Sequence, residues 1–278
     1  MSTSSDPDLQ SALAQRFDDA PLAATESEAA LRGMAMRGSC RSFQDTPVSD
    51  DLLDTLCAVA LASPTKSDLQ QRDIVVLRSQ GQRDKLAALV SGQAWVAQAP
   101  MLLVFCGNNR RQRLLHDWHD VPFANDHMDA VINATADAAI ALGAFVTAAE
   151  AVGLGCCPIS AVRNEAQAVS DLLQLPAHVF PFAGLAVGYT ERQPQISKRL
   201  PLKVTRHVDT YQEDGLEEAV AAYDTARAAV QPYAQQRFVD AFGISQTYGW
   251  SEDKVRQYSV PERADFGTYL RAQGFKLD

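Results

Sequence analysis

Three short stretches carry side chains whose types and spacing suit the binding of a small anion. In "MAMRGSCRSF", Arg37, Ser39 and Arg41 fall at every second position. If residues 37–43 are extended, period-two geometry puts these two guanidiniums and the hydroxyl on one side, with Cys40 and Ser42 on the other. That would clamp a phosphate and the polar edge of a ring, and it describes a solvated, Arg-bearing strand or turn equally well. In "ALASPTKSDLQQRDIVVL", a helix ends at Pro64 and Thr65, Lys66 and Ser67 cluster ahead of a strand. Hydroxyls and freed backbone N–H groups at such a junction hold an anion or a ring edge, although an ordinary polar turn has the same composition. "SKRLPLK" sets Lys198 and Arg199 in a short basic loop after the last strand.

The elements that must position these residues can be read from periodicity. Helical spacing runs through "ESEAALRGMAMRG" and "SDDLLDTLCAVALAS", the second opening on an N-cap candidate, Ser49, with acids in its first turn. "DIVVLR" (73–78) and "MLLVFC" (101–106) read as strands and "QRDKLAALV" as a helix between them. "DHMDAVINATADAAIALGAFVTAAEAVG" is a long Ala-rich helix, apolar nearly all round, as befits a core or a subunit interface, with Gly153 as its stop. "GCCPIS", the helix "NEAQAVSDLLQL" and the strand "VFPFAGLAVGY" follow. Strands and helices mixed in this way, with no Gly-rich turn after the first strand, predict an α+β domain rather than a dinucleotide-binding α/β fold. The last 70 or so residues read as polar helices that wrap around a neighbour or partner subunit. The connection 107–127 reads as a long functional loop or lid.

Composition bounds the function. The chain has 278 residues, 46% hydrophobic and 21% charged, enough for one globular unit and a tail. A formal net charge of −9 argues against nucleic acid or an anionic membrane as partner. The five cysteines, Cys40, Cys57, Cys106, Cys156 and Cys157, form no C-x-x-C pair and suggest a reducing compartment. The amino terminus has early acids and no apolar h-region, and no stretch reaches the roughly 20 unbroken apolar residues of a membrane span. A cytoplasmic protein with a polar extension over 1–25 is expected. His116 and His119, three apart, lack a third ligand at a diagnostic spacing, so no metal site is expected. Trp118 or Phe123 could stack on a planar molecule there, or simply pack the loop. Adjacent Cys156 and Cys157 read as buried strand thiols rather than a redox pair.

The three stretches occur in order with further landmarks. "RGSCRSF" followed by "PVSDDLLDTLCAVALASPTKSDLQ" resembles the flavin-phosphate motif of the nitroreductase and flavin reductase family. "SGQAWVAQAPMLLVFC", "VGLGCCPISAVRN", "FAGLAVGYTERQP", "SKRLP" and the terminal "WSEDKVRQYS…PERADFGTYLRAQGF" are similar to landmarks of its NADPH-preferring, oxygen-insensitive branch. The resemblance implies a central, mostly antiparallel sheet flanked by helices in an intertwined homodimer. The core would span 26–208, and a helical extension over 209–278 would pack on it or on the partner. It implies FMN as cofactor, NADPH as hydride donor, and nitroaromatics, quinones or free flavins as acceptors in a ping-pong cycle. Arg37 and Ser39, with Gly38 and Cys40 between and after them, would hold the FMN phosphate together with Arg199 and its neighbours Ser197 and Lys198. Arg41 would reach the pyrimidine side of the ring and stabilise the charge that hydride transfer leaves there. Thr65 and Gln93 would contact the flavin, and Pro158, Ile159, Ser160 and Ala161 would run beside it. Arg227, Arg237, Arg256 and Arg263 are all candidates for the NADPH 2′-phosphate. An NADPH-flavin reductase that supplies reduced FMN and a non-catalytic flavin carrier are the alternatives.

Overall fold

A computed structural model describes residues 8–20, 28–90 and 93–278. Glu26 and Ser27 of the first expected helix, Ser91 and Gly92 of "SGQAWVAQAP", and the extension apart from 8–20 lie outside the described residues. The chain forms two compact units, neither continuous in sequence: 1–38 with 195–262, and 39–194 with 263–278. In chain order the elements are α1 (Leu9–Arg16), α2 (Glu28–Met36), α3 (Asp50–Leu61), β1 (Arg72–Leu77), α4 (Gln80–Leu89), β2 (Met101–Asn108), α5 (Arg110–Trp118), α6 (Met128–Ala151), β3 (Leu154–Ile159), α7 (Ala166–Leu173), β4 (Val179–Tyr189), α8 (Leu202–Thr205), α9 (Leu216–Val230), α10 (Val239–Phe242), α11 (Trp250–Gln257) and α12 (Phe266–Ala272).

The unit of residues 39–194 and 263–278 holds the sheet, ordered β1-β2-β4-β3 with every neighbouring pair antiparallel. β2 is buried at all eight positions because helices cover both faces of the sheet. Met101, Leu103 and Phe105 face Leu53, Leu56, Ala141 and Phe145 of α3 and α6. Leu102, Val104 and Cys106 pack on the opposite side with Leu86 of α4 and Val169 of α7. The alternation of the strand is thus hidden inside an unbroken apolar run. α3 starts where its sequence says it should, with Ser49 Oγ accepting from Leu52 N at 3.4 Å and Asp50 and Asp51 in the first turn. α6 is long and apolar enough to cross a membrane by length and composition, but its buried face is core, and it carries a carboxylate, Asp137, with no exposure at all. α12 belongs to this unit, where Tyr269, Leu270 and Phe275 pack with Phe180 of β4.

The stretch 107–127 is not the loop expected from its polarity. Residues 107 and 108 end β2, residues 110–118 form helix α5, and only what lies between and after them is irregular. Asn109 gives it no side-chain cap, and its local mark is Asn108, whose Oδ1 accepts from Arg111 N at 3.1 Å. Arg111 also donates to the carbonyl of Gln70 at 2.7 Å, Gln112 to that of Leu69 at 3.1 Å, and Arg113 pairs with Asp126 at 2.5 Å. Asp126 also meets Lys276 at 2.9 Å. The Arg113 hydrogen bond, with Lys276 behind it and against the cost of burial, holds the Asp126 carboxyl at about 2 instead of 3.8. A depressed carboxylate contributes above its unfolded value and loses that contribution as pH falls through the folded one. Amide protection in α5 is therefore expected to be level from pH 7 to 4 and to fall between about pH 3.8 and 2, readable by hydrogen exchange. The pair is partly exposed, and solvent screening keeps its contribution at about 1 kcal/mol.

The unit of residues 1–38 and 195–262 is helical. Asp8 caps α1, its carboxylate accepting from Ser11 N at 2.7 Å, and α1 packs on α2. Tyr223 of α9 meets Trp250 of α11 edge to face at 5.3 Å, and Asp224 accepts from Ser251 N at 2.9 Å at the start of α11.

Candidate functional site

The extended reading of the first arginine stretch holds in the sheet-bearing unit. Ser39 bridges to Cys156 in parallel, Cys40 N donates to Cys156 O at 3.0 Å, Phe43 bridges to Thr190, and Gln44 N donates to Tyr189 O at 2.9 Å. The segment runs along the free side of β3 and on to the end of β4. Cys40 points inward at 2% exposure, Ser39 is partly exposed and Arg41 is exposed, as period two requires. Burial, opposed by a contact with the Ser42 backbone, pushes the Cys40 thiol up, so it is a packing group and no nucleophile.

Two glycines permit this approach. A Cβ on Gly155 would lie 2.4 Å from Thr190 Cγ2 and 2.7 Å from Cys40 Cβ, and one on Gly188 would lie 2.4 Å from Pro100 Cγ. Gly155→Ala is expected to cost about 1–3 kcal/mol through overpacking, measured by chemical denaturation. It should displace the 39–43 segment before it disturbs β2.

Arg41 stacks over the Trp95 ring at 5.8 Å, and its guanidinium makes no hydrogen bond or ion pair among the described residues. Stacking fixes the plane of a guanidinium while leaving its edge donors open. Gln93 is the residue before the short 3-10 turn Ala94–Gln98 that carries Trp95. β3 continues into the 3-10 turn Ser160–Arg163, with Pro158 and Ser160 exposed and Ile159 and Ala161 buried. Within this unit Ser39 therefore meets β3 at Cys156 and Arg41 meets the 94–98 turn at Trp95.

Thr65 is held within its own loop. Its hydroxyl accepts from Gln70 N at 3.4 Å and makes no hydrogen bond to Ser39 or Arg41. The loop it opens has three non-glycine residues with positive φ, Ser67 at 49°, Asp68 at 56° and Gln70 at 52°. Such strain persists only where the surroundings over-determine it. Here Asp137 of α6 accepts from Lys66 N at 3.0 Å and Gln71 N at 2.8 Å and faces Arg72 at 3.9 Å, while Arg72 donates to the carbonyls of Leu61 and Ser63. The loop, α5 and the start of α6 enclose a polar cleft of about 310 Å³ whose walls include Lys66, Gln71, Asn109 and His116, with Phe123 as an aromatic side. Phe123 packs against His116 and under Arg113 and lines this cleft, whereas Trp118 stays 70% exposed.

In the helical unit, Arg37, Ser197, Lys198 and Arg199 are drawn together by the amino-terminal segment. Arg16 donates to the carbonyls of Arg37 and Ser197, Arg199 N donates to Arg16 O at 2.7 Å, and Lys198 pairs with Asp18. The 2′-phosphate candidates also separate. Arg256 is 3% exposed and committed to Glu252 and to the carbonyls of Arg237 and Gly243. Arg237 pairs with Asp253 at 3.1 Å, Arg227 lies over Tyr233, and Arg263 sits at φ 57° and donates to Asn164.

Sequence reasoning passed over Asp137, Trp95 and Arg16. An acid alone in an Ala-rich helix and an arginine in a polar tail were the available signals. Nothing in the sequence pairs Trp95 with Arg41.

An antiparallel sheet covered by helices on both faces, with an extended segment carrying Ser39 and Arg41 along its edge, defines an α+β protein. The chain belongs to the nitroreductase family: the model of that family matches residues 34–189, and that of the nitroreductase family C-terminal domain matches 197–278. It is 32% identical to an FMN reductase [NAD(P)H] of Bacillus subtilis over 89% of this chain and 98% of that one. It is 31% identical to an oxygen-insensitive NADPH nitroreductase of Salmonella typhimurium over 85% and 94%. The solved structure of B. megaterium NfrA2 superposes with a TM-score of 0.82 at 30% identity, covering 90% of this chain and 98% of that one.

Proposed function

We propose that the protein is an FMN-dependent NAD(P)H oxidoreductase that passes reducing equivalents to nitroaromatic, quinone or flavin acceptors. FMN, when bound, supplies the hydride-accepting and hydride-donating chemistry, and the protein supplies binding, orientation and charge. The observation that carries the reading is Arg41, on the exposed side of an extended segment, which lies 5.8 Å over the Trp95 ring and makes no hydrogen bond or ion pair among the described residues. The donor set fits the cofactor: guanidiniums and hydroxyls for a phosphate dianion, one further guanidinium for the electron-accepting edge of a flavin. Arg37, Ser39 and Arg199, flanked by Gly38, Cys40, Ser197 and Lys198, hold the phosphate. Arg41, Gln93 and the backbone of 158–161 address the ring, and Thr65 meets a flavin from its own loop. Lys198, already paired with Asp18, is a minor contributor. NADPH is the preferred donor, and of the four arginines that could read its 2′-phosphate, Arg237 and Arg256 are already paired with the carboxylates of Asp253 and Glu252. The working form is a cytoplasmic homodimer.

Steady-state NADPH oxidation with free FMN, a quinone and nitrofurazone tests the proposal and ranks the acceptors. Names of relatives support both the nitroreductase and the flavin reductase readings. A yellow protein that oxidises NADPH with none of the three would be a carrier, and a protein that takes up no FMN would be neither.

A further inference from the structure

Residues 9–19 lie outside both family-model matches, yet they make some of the most specific contacts in their unit. Arg16, 5% exposed, spreads its guanidinium over three carbonyls from two segments: Ala35 at 2.5 Å, Arg37, and Ser197 at 3.2 Å. Its own carbonyl accepts from Arg199 N at 2.7 Å. Asp18 pairs with Lys198. Asp19 accepts from Leu202 N at 2.7 Å and Lys203 N at 3.0 Å, closing the start of α8 just after the basic loop. Burial works against ionisation of Asp19, but these two backbone donors outweigh it and hold its carboxyl below the ordinary range. From the other side, Tyr223 of α9 donates to Lys198 O at 3.1 Å.

We propose that this amino-terminal segment is a brace that presets the phosphate-binding residues: Arg16 ties the backbone of Arg37 to that of Ser197 and Arg199, and Asp19 fixes where the basic loop ends. The inference rests on the assignment of Arg37 and Arg199 to the FMN phosphate. A planar guanidinium is suited to the task because it satisfies several carbonyls at once and keeps its charge at any working pH. Arg16 is a positioning residue, with its side chain spent on backbone oxygens and its effect reaching the ligand through Arg37 and Arg199. Holding the two segments in register removes ordering costs that cofactor binding would otherwise meet.

The brace acts on the phosphate end of the ligand only, so the ratio of FMN to riboflavin affinity reports it where a general loss of stability would not. Apoprotein of the full-length chain is titrated with FMN and with riboflavin by flavin fluorescence quenching, for wild type, Arg16→Ala, Arg16→Lys, Asp19→Asn and Arg199→Ala. Arg16→Ala is expected to weaken FMN about 10-fold and riboflavin less than about 2-fold, the scale of a lost charge-assisted hydrogen bond. Arg16→Lys falls between, since an ammonium cannot span three carbonyls. Asp19→Asn should lower the ratio about 2-fold to 3-fold. If Arg16→Ala fails to fold, Asp19→Asn decides, and an unchanged ratio overturns the brace. Equal losses for FMN and riboflavin in the Arg16 variants overturn it too. Should Arg199→Ala leave the ratio intact, the phosphate assignment itself falls. A ratio that drops with Arg199→Ala and not with Arg16→Ala or Asp19→Asn removes the brace alone.

Discussion

Asp137→Ala is expected to lower the unfolding free energy by about 3–5 kcal/mol, the cost of stranding a buried charge, and to make the 62–71 loop the first site of proteolysis. Both side chains of the Asp137–Arg72 pair are almost completely buried, at 1% and 3% exposure. Removing the carboxylate leaves Arg72 without its counter-charge, and two backbone N–H groups, of Lys66 and Gln71, without acceptors. It also releases the three positive-φ residues of the loop from what holds them. Asp137→Asn keeps the shape but turns an NH2 toward one of those donors, so it should cost nearly as much. The double variant Arg72→Met, Asp137→Leu separates the two contributions. Were the pair only a charge pair, the double variant would recover most of the loss; recovery is expected to stop about halfway, because the orphaned backbone donors remain. Urea denaturation with limited trypsinolysis reads both, and a double variant as stable as wild type would remove Asp137 from its role in the loop.

Arg41→Ala is expected to slow anaerobic flavin bleaching by NADPH about 100-fold, in line with the loss of one preorganised charge at a site where charge develops. FMN affinity should change far less, since the phosphate is assigned to other residues. Arg41→Lys keeps a charge but neither the planar fork nor the stack on Trp95, so an intermediate rate is expected. Stopped-flow absorbance with NADPH and NADH in parallel gives the rates. An Arg41→Ala enzyme that bleaches as fast as wild type would leave Arg41 with no part in the chemistry.

How much of this was legible depended on whether a signal was local. β4 spans 179–189 as read, because "VFPFAGLAVGY" is one apolar run with turn residues beyond it, and β1 differs from its reading by one residue. Ser39 and Arg41 were legible because alternation along an extended segment is a property of the segment itself. α5 was not: "RRQRLLHDW" has a weak apolar stripe, its capping residue Asn108 lies inside the preceding strand, and its helix is held by Arg111, Gln112 and Arg113 reaching residues distant in sequence. Asp137 was hidden for the same reason, since an acid in an Ala-rich helix gives no hint that a strand-initial arginine will meet it. The amino-terminal segment read as a polar extension because polarity looks the same whether it faces water or a row of carbonyls.

The segment that carries Ser39 and Arg41 also occupies the outer side of β3, the last strand of the sheet. Pro158 removes one donor from that side, and the Cys40 amide engages the Cys156 carbonyl. An uncovered terminal strand is a template on which another chain can grow. Variants that loosen residues 39–43 therefore have a second failure open to them besides poor flavin retention. They should be lost to intermolecular strand addition during expression, so yield and solubility become as informative about this segment as turnover.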